Sequence, residues 1–116
     1  IEKLANDAIK YSFFGVCINP NYIKPIKELL KESEVKVVTV VNFPLASNTI
    51  ETTLFQTSQA LEFGADEIDT VLNVSALKNK DYKKVEYDII KTKDVCKNNR
   101  NVVYLNKYFL LLFAYY

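Results

Sequence analysis

The segment Glu67-Ile68-Asp69-Thr70-Val71-Leu72-Asn73-Val74 has the two-residue period of an extended chain. Ile68, Thr70, Leu72 and Val74 fall on one face, and Asp69, Val71 and Asn73 on the other. The first face suits packing beneath helices; the second carries a carboxyl group. Upstream, Val35 to Phe43 is rich in β-branched residues and stops at Pro44, the pattern of a buried strand. Further back, Gly15-Val16-Cys17-Ile18-Asn19 is a short apolar run closed by the turn signal Asn19-Pro20-Asn21. Downstream, Val102 opens a fourth run.

Helical spacing fills the intervals. Leu4, Ala5, Ala8 and Ile9 make one stripe over residues 2–12, and Ile23, Ile26, Leu29 and Leu30 a second, with Pro25 near its first turn. Asn48 and Glu51 have capping-box spacing before Ile50, Leu54 and Leu61, and Gly64 suits the C-terminal cap of that helix. Residues 81–97 predict a further helix with Tyr82, Val85, Ile89 and Cys96 inward. Strand starts near 15, 35, 67 and 102 therefore alternate with helices, and no two-residue hairpin turn separates them. The expectation is an α/β fold with about four parallel strands. Such a sheet closes into a barrel or lies open between two helical layers. The absence of G-x-G-x-x-G and G-x-x-x-x-G-K argues against a nucleotide-binding sheet, while a flavodoxin-like one stays compatible.

Composition narrows the chemistry. The 116 residues carry 15 Lys+Arg against 14 Asp+Glu, a net charge of +1 without a basic tract, so neither nucleic acid nor a membrane surface is expected as a partner. There is no histidine, which removes Ser-His-Asp and Cys-His schemes and makes a metal site unexpected. Cys17 and Cys96 lack metal or redox spacing and fit a reducing, cytoplasmic setting. The charged, amphipathic first residues do not read as a signal peptide.

Polar residues gather at the carboxyl ends of the strands, where parallel α/β architectures bind ligands. Asp69 points to the face opposite the helices; Cys17 and Asn19 end the first strand, Asn42 the second, and Asn73 lies near the end of the third. Structural roles compete with each of these. Asp69 could satisfy a neighbouring backbone group or lysine, Asn19 and Asn42 could make turns beside prolines, and Cys17 could be a small core residue.

Four ordered blocks resemble the deoxyribose-phosphate aldolase family: Val16-Cys17-Ile18-Asn19-Pro20; Thr39-Val40-Val41-Asn42-Phe43-Pro44-Leu45; Gly64 through Asn73; and Ala76-Leu77-Lys78 followed by Asp81-Tyr82. The resemblance covers roughly residues 2–100. It implies part of a TIM (β/α)8 barrel and reversible cleavage of 2-deoxyribose 5-phosphate to acetaldehyde and glyceraldehyde 3-phosphate. That reaction runs through a lysine Schiff base and needs no cofactor. It further implies that Asp69 is the proton-relay residue, that Cys17 lies beside the substrate, and that the ligand is a sugar phosphate; Asn42 and Asn73, from their places at the strand ends, are expected to bind it too.

The departures are specific. The family's first strand, its Schiff-base lysine on the sixth strand, the partner lysine on the seventh and the phosphate loops have no counterpart here. Ala46 and Ser75 stand where the family usually has glycine, and the match fails after Val103. The expectation is a partial barrel over 1–103 and a divergent apolar tail over 104–116, as after a change of reading frame. Tyr108 to Tyr116 is too short to span a bilayer. Lys107 is the one candidate for a substitute nucleophile, set against a lysine that merely snorkels from the tail. The chain is thus expected to carry an incomplete aldolase site, inactive alone, with open sheet edges that invite a homodimer. The competing reading is a non-catalytic α/β module that binds a metabolite or a partner.

Overall fold

A computed structural model describes residues 1–96 and 101–105. The order of elements is α1 (Glu2–Lys10), β1 (Gly15–Ile18), a 3-10 turn (Pro20–Tyr22), α2 (Ile23–Leu29), β2 (Lys36–Val41), α3 (Ile50–Glu62), β3 (Glu67–Val71), α4 (Val74–Lys78), α5 (Tyr82–Cys96) and β4 (Asn101–Leu105). The strands form one parallel sheet in the order β1-β2-β3-β4, each beside its sequence neighbour. Doubly wound sheets reverse their strand order at a switch point so that helices cover both faces. A sheet that only ever steps in one direction keeps its helices on one side, which is the arc of a barrel. The strand order decides what the sequence left open.

Packing agrees. Val16, Ile18, Val37, Val41 and Ile68 from the strands share one buried core with Ala5, Ala8, Ile23, Ile26 and Leu30 from the helical layer. The alternate strand residues Cys17, Val38, Val40 and Asp69 face the other way and are half-buried or exposed. Burying the core side chains is worth about 1.5–3 kcal/mol for each large aliphatic residue, and this sets which face turns inward.

Helix ends follow from local chemistry. α1, α3 and α4 each stop at a left-handed residue, Ser12 (φ 52°), Gly64 (φ 105°) and Lys80 (φ 59°). In each, the next residue's N–H reaches back five positions: Phe13 to Ala8, Ala65 to Ala60 and Asp81 to Ala76. These are Schellman caps, and Gly64 takes the position expected of it.

Several expectations shift. The strand 67–74 ends at Val71, because the Asn73 side chain caps α4 by accepting from Ala76 N–H at 3.0 Å. The N-cap of α3 is Thr49, which accepts from Thr52 N–H, and Asn48 belongs to the loop. Ile9, Leu29 and Tyr82, expected inward, are exposed. On α3 the buried face is Thr53, Thr57 and Ala60, not Ile50, Leu54 and Leu61. Threonine tolerates that site because its hydroxyl returns to the preceding turn: Thr53 to Thr49 O at 3.0 Å and Thr57 to Thr53 O at 2.8 Å. Of the tail 104–116, Tyr104 and Leu105 belong to β4, opposite Thr70 and Val71, while the rest, with Lys107, lies outside the described residues. Among the described residues no helix is long and apolar enough to cross a membrane.

Candidate functional site

β1, β2 and β3 bring Cys17 and Asp69 together on the face opposite the helices. Val40 pairs with Asp69, and Cys17 sits one strand further across, beside Val38. Cys17 Sγ lies 4.0 Å from Asp69 Oδ2, the outer limit of a thiol–carboxyl contact. Thr39, fully buried, donates its hydroxyl to Ile18 O at 2.8 Å and fixes β1 against β2. The spacing between the two functional groups is therefore held by the strands that carry them.

The electrostatics favour neutral forms. Burial, then the Glu67 charge, raises the Asp69 carboxyl above the ordinary aspartate value. Burial, then Asp69, raises the Cys17 thiol. A thiol shifted upward is a poor nucleophile at neutral pH, whereas a carboxyl shifted upward is better matched to passing a proton. Of the two, only Asp69 has the electrostatics of an acid–base group. No lysine lines the recesses around this pair among the described residues. Nor does any cluster of three or more His, Cys, Asp or Glu there suit a metal ion.

The rim above the pair is the loop that follows β2. Phe43 borders one recess with Cys17, Asn19, Tyr22 and Val40. Asn42, left-handed at φ 51°, accepts from Asn48 N–H through Oδ1 at 3.0 Å, and its own N–H donates to Gln56 Oε1 at 3.1 Å. Its side chain holds the loop closed. Asn73 is placed differently. Besides capping α4 it donates from Nδ2 to Asp88 Oδ2 at 3.1 Å, and the other Asp88 oxygen meets Lys84. That network buttresses the loop after β3 from the helix side, away from Cys17 and Asp69.

Sequence reasoning missed Gln56, Asp88 and Lys84. The i,i+4 spacing of Lys84 and Asp88 was a usable signal. Nothing local pointed to Gln56, whose partners are loop residues eight and fourteen positions upstream.

A parallel arc of four strands, with helices on one side and a protonatable carboxyl on the other, defines the class: part of a (β/α)8 barrel. The family model for DeoC/LacD family aldolases matches residues 1–109, and the chain belongs to that family. It is 53% identical over 89 residues to a deoxyribose-phosphate aldolase of Clostridium perfringens, covering 77% of this chain. The chain spans 40% of the length of that relative. Among solved structures it superposes on one assigned to a deoxyribose-phosphate aldolase of Coccidioides immitis with a TM-score of 0.86 at 26% identity, covering 89% of this chain and 40% of the other. The tetrameric deoxyribose phosphate aldolase of Aeropyrum pernix aligns with a TM-score of 0.71 at 27% identity, covering 89% of this chain and 43% of the other.

Proposed function

We propose that this chain supplies the proton-relay side of a deoxyribose-phosphate aldolase site. The reaction is reversible cleavage of 2-deoxy-D-ribose 5-phosphate to acetaldehyde and glyceraldehyde 3-phosphate. The single supporting observation is the Asp69 carboxyl, raised by burial on the inner face of the barrel arc. Aldol cleavage through an imine needs two groups: an amine that becomes the electron sink, and an acid–base group that takes the hydroxyl proton as the carbon–carbon bond breaks. Asp69 fits the second role. Cys17 is a neutral neighbour that shapes the substrate wall, Asn42 orders the rim, and Asn73 acts from behind by fixing the loop after β3. No lysine lines the recesses beside Asp69 among the described residues, and Lys107, outside them, is the candidate that this sequence offers for the amine. The two free cysteines suit a cytoplasmic setting. β1, paired only with β2 among the described residues, is the edge at which a homodimer would form.

Borohydride reduction in the presence of acetaldehyde, followed by peptide mapping, tests the reading. Turnover together with an adduct on Lys107 would make Lys107 the amine and overturn the expectation that the chain is inactive alone. Asp69→Asn should then lower turnover about a hundredfold while the adduct still forms. Specific sugar-phosphate binding with no covalent adduct would instead favour a non-catalytic metabolite-binding module.

A further inference from the structure

The rim loop 43–48 is bounded by two residues whose bonds converge on one atom. Asn42 N–H donates to Gln56 Oε1 at 3.1 Å and Asn48 Nδ2 donates to the same oxygen at 3.3 Å. Two further bonds tie the loop to itself, Ala46 N–H to Asn42 O and Asn48 N–H to Asn42 Oδ1, both at 3.0 Å. These internal bonds fix the loop's shape but not where it sits. The Gln56 bonds join its two ends to a rigid element: Gln56 lies within α3, between the buried Thr53 and the fully buried Thr57.

Location gives the clamp its consequence. Phe43, the first loop residue, forms a wall of the recess that holds Cys17 and Val40, and Val40 is the strand partner of Asp69. Asn42 and Ala46 both occupy the left-handed region, at φ 51° and 52°, which asparagine visits readily and alanine adopts at a cost of about 1–2 kcal/mol. A loop holding such a strained alanine keeps its shape only where its surroundings hold it. We infer that Gln56 is a positioning residue: its amide oxygen sets the height of the Asn42–Asn48 loop, and with it Phe43, over the inner face. It touches no reacting atom. The inference rests on the aldolase reading only for the identity of the substrate.

Two substitutions test it, with three readouts on the whole chain: amide exchange at Asn42, iodoacetamide alkylation of Cys17 with buried Cys96 as internal reference, and turnover of 2-deoxyribose 5-phosphate. Gln56→Leu keeps bulk and removes both bonds. It should speed Asn42 exchange about tenfold and raise Cys17 alkylation, while amides of α3 keep wild-type protection. Gln56→Glu offers a charged acceptor to the same donors, so Asn42 exchange should fall below wild type above pH 6. That gain is readable even where the leucine variant does not fold. Where the sugar phosphate is turned over, Gln56→Leu should raise KM about tenfold with kcat within about twofold, and Gln56→Glu should restore KM. The inference is overturned if Asn42 protection is indifferent to both substitutions, if α3 loses protection in parallel, or if kcat falls with KM unchanged. Turnover by the unsubstituted protein would overturn only the expectation that this chain is inactive alone; exchange and alkylation decide the clamp in either case.

Discussion

Left-handed residues show how one side chain is weighed against its backbone. Ser12 and Lys80 end helices at positions that favour glycine, and both are exposed, so removing their side chains forfeits little packing. Lys80→Gly should raise stability by about 0.5–1 kcal/mol, read as a higher denaturant midpoint at constant slope. Ala46 has the same strain, worth about 0.5–1 kcal/mol net of glycine's greater unfolded-state freedom, but the residue is only 7% exposed, and losing a buried methyl costs about 0.8 kcal/mol. The two effects cancel there, and Ala46→Gly should leave the midpoint nearly unchanged. Asp66 is a different case. It pairs with Lys27 at 2.6 Å and accepts from Val37 N–H at 2.8 Å, binding α2 and β2 at the end of the sheet away from the rim. Burial pushes its carboxyl upward, but the Lys27 bond, the Val37 N–H and the charges of Lys27 and Lys36 together hold it below the ordinary 3.8. A depressed value means the folded state favours the ionised form. The stabilisation is present above 3.8 and is lost as the pH falls through the lower folded value. Asp66→Asn should cost about 1–2 kcal/mol at pH 7, the pair being partly exposed. The cost should shrink towards zero in acid, as urea titrations at pH 7 and pH 2.5 would show. Asp69, raised instead, works in the opposite sense: stability is lost as the pH rises from the ordinary 3.8 through the higher folded value, because ionisation costs more in the folded state.

At the scale of elements, short helices depend on their ends. α4 has five residues and cannot persist by propensity alone. Its N-cap Asn73 also reaches Asp88 on α5, so one side chain secures two elements. Asn73→Ala should lower stability by about 1–2 kcal/mol, and exchange should accelerate first at Ala76 and Leu77. Asn73→Asp keeps the cap acceptor but sets a charge against Asp88, so it should recover less than the cap alone predicts. The sequence showed that a polar residue ended this strand. It did not show which way that residue turned, because a cap partner and a strand-face residue look alike until the strand's last bond is known.

For the whole molecule, one core holds the arc together. Ile26 and Ile68 are fully buried, on α2 and on β3. Ile68→Ala should cost about 2–5 kcal/mol, comparable to the stability of a small domain, and its thermal melt should broaden or vanish. Phe55→Ala, at a side chain 66% exposed, should shift the same melt by no more than about 0.5 kcal/mol. Aromatic residues make up 13% of the chain, yet the core among the described residues is built mainly from isoleucine, valine, alanine and threonine.

Periodicity by itself determined the alternation of strands and helices, their parallel direction, and the turning of Asp69 away from the helices. These follow from repeats of two and 3.6 residues along a chain whose apolar side must be covered. Strand order, the 4.0 Å approach of Cys17 to Asp69 across β2, and the convergence of Asn42 and Asn48 on Gln56 were decided only by the tertiary structure. Each depends on contacts between segments far apart in sequence, and a local pattern holds no record of which distant groups will meet.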